Sequence, residues 1–371
     1  MKIVGHCATP YLHTNGSWIY SQLCRLRRYR PVVLTQEAQN LAQFPVGRLH
    51  TAQDYPFLKR AGNRLWLKLT GEYPFYGQIL SAEGACLIHA HFGYQGCRCL
   101  RARRQSGLPM LTTFYGADAT QFARLDYWRR FYQRLFAEGE AFLVEGNALA
   151  RCLEEAGCPP AKIRLHHLGV DLERIPFGER VRAERVRFLI CAPFREKKGI
   201  PDALRAIGLA WRRRPFAFEV VLIGDGPERL NILTAIREAG LEDRVVLRGS
   251  LPYSEVLAEL GRCHLLLQTS RRAANGDTEG GGPVILLDAQ AAGLPVVATH
   301  HADIPEYVRD GESGLLAAEG DVEGVADCIL QLVEAPERWA GMGRAGRRHV
   351  EEHYNAATQA ARLEEIYDEF T

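Results

Sequence analysis

Short apolar runs alternate with amphipathic stretches along nearly the whole chain, and this alternation leaves few folds open. In the first half the runs fall at 2–6, 31–35, 85–91, 110–114, 141–145 and 163–167. Amphipathic stretches such as 18–27 and 94–105 lie between them. The pattern restarts at 186–191 and continues through 219–223, 245–248, 264–268 and 295–298, with helical periods at 201–213, 228–239, 253–260 and 284–292. Continuous apolar strands joined by helices predict parallel sheets covered on both faces. Two such series predict an α/β protein of two doubly wound domains, with the junction near 168–177. The length of 371 residues agrees with two domains, each able to bury its own core.

Charge divides the chain at the same place. Residues 1–168 hold 21 Lys+Arg against 11 Asp+Glu (+10), and the remainder holds 25 against 33 (−8). Basic clusters at 25–30, 101–104 and 128–134, interleaved with aromatics, read either as solvated helix faces or as a patch for anionic headgroups or a phosphorylated substrate. No nucleic-acid recognition motif accompanies them. No apolar run reaches the length of a membrane span, and the first residues read as a strand rather than a signal peptide. The expectation is a cytoplasmic protein, with contact at the inner membrane face through the basic half. Ten scattered cysteines without a CxxC pair read as reduced thiols. His89 and His91 share strand spacing and Cys97 follows, but nothing nearby completes a tetrahedral set, so no metal site is expected.

In doubly wound sheets, ligands sit beyond the carboxyl ends of the strands, so the loops after the strands carry the functional signal. The loop 275–283, NGDTEGGGP, strips side chains at Gly280, Gly281 and Gly282 and leads into a helix from Val284. Backbone amides can approach a ligand there, and the helix start favours an anion. Glu279 and Asp288 bracket that start and could accept hydroxyl hydrogen bonds. Arg195 and Lys198, in FREKKG, place cations at the end of the second half's first strand, where they could neutralise a diphosphate. A solvated basic turn would look the same. Gly224 and Gly226 form half of a dinucleotide fingerprint whose third glycine is Arg229, which weakens a nicotinamide reading. No phosphate-loop motif GxxxxGK[ST] is present. In the basic half, Asn15-Gly16-Ser17, His91 in HAHFG, and Tyr115 and Asp118 in FYGAD each follow a strand and set glycine beside polar groups.

Taken together, these blocks resemble the family 4 retaining glycosyltransferases of GT-B architecture, in which two Rossmann-like domains face a central cleft. The segments FREKKGI, LIGDGPE, RVVLRGSLPYSEV and GDTEGGGPVILLDAQAAGLPVVATHHADIPEYVRDGESGLL follow the family's order, and HAHFG, TTFYGAD and HHLGVDLERI match in the first half. The flavour is that of bacterial exopolysaccharide or lipopolysaccharide transferases. The resemblance implies an acceptor-side domain of 1–168 plus a returning helix at 352–371, and a donor-binding domain of 169–351. It implies that 336–371 is one long helical stretch packing back on the first domain.

By the same resemblance, Lys198 binds the donor diphosphate and Arg195 stands in for an arginine whose usual place is Pro193. Glu279 meets the transferred sugar and Asp288, one methylene shorter than the usual glutamate, meets the ribose. Gly16, Gly224, Gly226, Gly280, Gly281, Gly282 and Val284 complete the donor set. His91, Tyr115 and Asp118 join Arg195, Lys198 and Glu279 as the catalytic set, with Tyr115 where many relatives carry histidine. The implied reaction moves a hexosyl group from a UDP- or GDP-sugar to a saccharide or lipid-linked acceptor, with retention and without a cofactor. No Asp-x-Asp motif is present to hold a metal, so transfer independent of metal is expected. An epimerase of the same architecture and a non-catalytic nucleotide-sugar binder are the rival readings.

Overall fold

The computed structural model describes residues 1–13 and 16–371. The chain divides into two compact units, Met1–Gly169 with Ala356–Thr371, and Val170–Asn355. In the first, β1 (Lys2–Cys7), β2 (Tyr29–Thr35), β3 (Leu49–Thr51), β4 (Ala85–His91), β5 (Met110–Thr113), β6 (Ala141–Val144) and β7 (Ile163–Leu165) form one sheet in the order β3-β2-β1-β4-β5-β6-β7. In the second, β8 (Val186–Cys191), β9 (Phe218–Ile223), β10 (Val245–Gly249), β11 (Leu265–Gln268), β12 (Val296–Thr299) and β13 (Gly314–Ala317) take the order β10-β9-β8-β11-β12-β13. Every paired neighbour is parallel. Both sheets are therefore doubly wound, and the strand order reverses between β1 and β4 and between β8 and β11.

The apolar runs lack polar alternation because successive residues enter different cores. Along β8, Phe188 and Ile190 join one buried cluster while Leu189 joins the cluster on the other face. Along β6, Phe142 and Val144 pack on one side and Ala141 and Leu143 on the other. Helices must then cover both faces, and in the first unit the end of the chain supplies one of those covers. Helix Ala356–Asp368 places Leu363, Ile366 and Tyr367 against Val4, Leu87, Leu111 and Leu143. At about 1.5–3 kcal/mol per fully buried large side chain, this contact is a main contributor to the unit's stability.

The stretch expected as one helix is two, Arg338–His353 and Ala356–Asp368. Trp339, Met342, Val350 and Tyr354 are spent on the cores of the second unit. The carbonyl of Tyr354 accepts from the Val170 amide at 2.8 Å, which ends the first helix beside the outgoing strand of chain. The return to the first unit therefore starts at Ala356 instead of at 352. Two short strands, β3 and β13, and helix Phe57–Thr70 were not among the sequence expectations.

A buried carboxylate locks the returning helix. Glu364 accepts from the backbone amides of Arg27 and Arg28, each at 2.6 Å, and from the Arg28 guanidinium at 3.2 Å. Glu364→Ala should strand two amides at the entrance to β2 and lower unfolding free energy by about 1–3 kcal/mol, read by urea denaturation. Glu364→Gln, which still accepts, should recover part of that loss, and an alanine variant as stable as the parent would refute this role.

Candidate functional site

In the second unit the site forms where the strand order reverses. The loop after β8 carries Arg195 and Lys198, and the loop after β11 carries Glu279 and the three glycines. Lys198 Nζ donates to Glu279 Oε2 at 2.7 Å, and both side chains are largely buried. The other carboxylate oxygen accepts from Ser270 Oγ at 2.6 Å, and that hydroxyl receives Gln268 Nε2 at 2.8 Å. Burial alone would raise the Glu279 pKa, but Lys198 and Lys197 and the bonds from Lys198 and Ser270 outweigh it and hold the carboxyl below its ordinary value. The glutamate is thus a fixed anion beside a fixed cation. Lys198 has three N–H donors, and Glu279 takes one, so the ammonium retains capacity for a ligand's oxygens.

The loop is tied at both ends. Lys197 Nζ donates to Asp277 Oδ1 at 3.2 Å and to the Thr278 carbonyl at 2.8 Å. The Glu279 amide donates to His301 Nε2 at 3.2 Å, which leaves Nδ1–H to bond Glu319 Oε2 at 2.7 Å and fixes the imidazole tautomer. Glu319 also accepts from the Arg272 amide at 2.7 Å. Gly280 has φ 78°, and a Cβ on Gly282 would lie 2.6 Å from the Tyr307 ring. The amides of Gly281, Gly282, Val284 and Ile285 have no acceptor among the described residues. They and the start of helix Val284–Ala291 form an anion-favouring surface next to Glu279.

Asp288 lies in the same helix, buried, with Oδ1 accepting from Tyr253 OH at 3.0 Å. Burial pushes its carboxyl up to about 7, with the tyrosine donor pulling the other way. Arg195 is exposed and forms no ion pair among the described residues. Gly224 and Gly226, also in the expected donor set, have a packing role. At φ 142° and 151° they press against the loop after β8, where a Cβ would collide with the Ala192 carbonyl at the first and lie 2.6 Å from the Phe194 carbonyl at the second. Their work is to let that loop, and Lys198 with it, approach β9.

The first unit gathers its own set. His91 Nδ1 is 2.7 Å from Tyr115 OH and Nε2 is 3.1 Å from His6 Nδ1, while His89 bonds Tyr367 OH at 2.6 Å and Thr113 Oγ1 at 2.7 Å. All three histidines are buried, and burial lowers their pKa values, that of His6 to about 3, so they are neutral. Their nitrogens include three that lie within 4.8 Å of one another, the kind of cluster that can hold a metal ion. Of the six ring nitrogens only His6 Nε2 lacks a hydrogen-bond partner, so ligation there would displace existing bonds. Asp118, expected in the catalytic set, is bonded to backbone. Its oxygens accept from the amides of Gly93 at 2.8 Å, Tyr115 at 3.1 Å and Gly116 at 3.0 Å, so it clips the loops after β4 and β5 together. Gly93 leaves room for the Phe114 ring, and Phe92 is held at φ 77°. Gly16 precedes helix Ser17–Arg25, and Asn15 lies outside the described residues.

Sequence reasoning missed Ser270, Gln268, Tyr253 and His301. Each acts by supporting a residue that was recognised, and Tyr253 and His301, both inside quoted blocks, offered a signal. Comparison with known proteins now bears on this arrangement. Residues 172–349 match the family model Glycosyl transferases group 1, and residues 19–174 match Glycosyltransferase Family 4. The amylovoran biosynthesis glycosyltransferase AmsK of Erwinia amylovora is 34% identical over 76% of this chain and 70% of its own. The putative colanic acid biosynthesis glycosyltransferase WcaL of Escherichia coli K12 is 32% identical over 75% and 69%. Among solved structures, Anabaena Alr3699/HepE in complex with UDP and glucose superposes with a TM-score of 0.79 over the full length of both chains at 16% identity, a likeness of fold. By its two family models and its relatives, the chain belongs to the family 4, group 1 glycosyltransferases.

Proposed function

We propose that the protein is a retaining, metal-independent hexosyltransferase that uses a UDP- or GDP-sugar and extends a saccharide or lipid-linked acceptor in cell-surface polysaccharide synthesis. The observation that carries this is the buried Lys198–Glu279 pair beside a glycine-rich helix start at the switch point of the second sheet. The names of AmsK and WcaL support the polysaccharide setting, and the UDP and glucose held by HepE support the donor class.

In this reading Lys198 and the free amides of Gly281, Gly282 and Val284 take the diphosphate. As the bond from the sugar's anomeric carbon to the phosphate oxygen breaks, its electron pair goes to that oxygen, and fixed positive charge stabilises it without reorganisation. The acceptor hydroxyl attacks the same face and its proton passes to the departing diphosphate. Glu279 holds hydroxyls of the transferred sugar, Asp288 holds the ribose, and Arg195, exposed at the rim of the same loop, meets the outer phosphate. Neutral His91 holds the Tyr115 hydroxyl at 2.7 Å within the first unit.

Lys198→Ala and Glu279→Gln should each cut kcat by roughly 10²–10³ with the fold intact, as expected for loss of a preorganised charge contact. Either variant retaining near-parental turnover would remove that residue from the mechanism. Product analysis by NMR, in EDTA, should give an α product from an α-linked donor only when acceptor is present; a sugar isomer formed with UDP release and no acceptor would make the protein an epimerase. UDP or GDP at about 100 times Kd should add roughly 2.7 kcal/mol to stability.

The Asp288 carboxyl sets a pH dependence. The ribose hydroxyls donate to the ionised form, which is depleted as pH falls below about 7. Donor KM should therefore rise toward acid, approaching roughly tenfold per pH unit well below that value. Asp288→Asn should flatten the profile, and a parental KM that is constant between pH 5 and 8 would contradict the assignment.

A further inference from the structure

The arginine clusters of the basic half were read as solvated helix faces or as an anionic contact, and half of their ten arginines are held in ion pairs. Arg28 is bound to Glu364 and Asp368, Arg103 to Glu140, Arg104 to Glu72 and Glu138, and Arg134 to Glu72. Cations without an ion pair also gather on helix Phe57–Thr70, FLKRAGNRLWLKLT, which contains no acidic residue. Lys59, Arg60, Arg64 and Lys68 form no ion pair among the described residues, and Lys59 lies over the rings of Tyr55 and Phe75 at 4.3 and 4.6 Å.

The same helix is apolar on the side turned to water. Asn63 is buried and Leu67 packs on the first unit's core, so those positions mark the inner face. Leu58, Leu65 and Leu69 follow at spacings of seven and four, which aligns them in one stripe on the opposite face. They are 82%, 59% and 73% exposed, and Phe57 beside them is 74% exposed. Arg64 and Lys68 border the stripe on one side and Lys59 on the other. The apolar surface continues past the helix, because Gly71 abuts the Phe131 ring, whose neighbour Tyr127 is also exposed. No helix among the described residues is long and apolar enough to cross a membrane.

A stripe of leucines flanked by cations is the pattern of a helix lying in a lipid–water interface. A second copy of the chain is a poor occupant, since a two-fold contact would set four cations against four. We propose that helix Phe57–Thr70 is a docking surface for an anionic lipid bilayer, with Leu58, Leu65 and Leu69 entering the acyl boundary and Lys59, Arg64 and Lys68 meeting lipid phosphates. This inference is independent of the donor chemistry and is testable without it.

The test is co-sedimentation of the full chain with phosphatidylglycerol/phosphatidylcholine vesicles and with phosphatidylcholine alone, at about 0.1 M salt where surface charge is screened only over about 10 Å. Partitioning should need the anionic lipid. The triple variant Lys59→Gln, Arg64→Gln, Lys68→Gln should weaken it on the order of a hundredfold, since each cation near such a surface contributes about 1 kcal/mol. Leu58→Ser with Leu65→Ser and Leu69→Ser should weaken it at least about tenfold through lost acyl contact. All the changed side chains are exposed, so thermal midpoints should stay within about 2–4 °C of the parent. Failure of the parent to partition, or undiminished partitioning by both variants, overturns the proposal. So does a parent that dimerises in the absence of vesicles through the three leucines and ignores lipid.

Discussion

A parallel sheet covered on both faces has nowhere to put chemistry except at its strand ends, and much of this molecule follows from that restriction. The interiors of β8 and β6 are given over to two opposed cores. Polar side chains that do enter, such as Gln268 and Thr299, act through short hydrogen bonds near the carboxyl edge. The charged pair Lys198–Glu279 sits at that edge, on the loops of the two strands that flank the reversal of strand order. Helix dipoles and free amides converge there for the same topological reason.

Two carboxyls on one loop and helix acquire opposite characters. Glu279 and Asp288 are both buried, yet Glu279 faces an ammonium and a hydroxyl donor while Asp288 faces only Tyr253. The first is held ionised and the second is poised close to neutrality. Environment, more than residue type, separates them. In the first unit, burial acts on imidazoles and removes their charge, which turns His6, His89 and His91 into neutral hydrogen-bonding parts.

The alternating pattern made both sheets legible, because fully buried parallel strands are written as uninterrupted apolar runs such as 186–191 and 85–91. β3 and β13 escaped notice since three or four residues give no pattern, and GLLA lacks β-branched residues. Helix Phe57–Thr70 was obscured by leucines on its outer face, which spoil the one-sided period that marks a surface helix. Lys198 and Glu279 could be read because charge and glycine punctuate strand ends. The loop-clipping task of Asp118 was not legible, since the three amides donating to it come from two separate loops. The same holds for Gly224 and Gly226, where sequence shows permissive backbone and only the fold shows what fills the space.

Those two glycines have a consequence for how such an enzyme can diversify. The position of Lys198 rests on main chain packed against main chain, with the carbonyls of Ala192 and Phe194 occupying the volume a side chain at Gly224 or Gly226 would need. Side chains around the ammonium can therefore change without displacing the backbone that carries it. The part with least room for variation thus lies on a strand end remote in sequence from the residue it places.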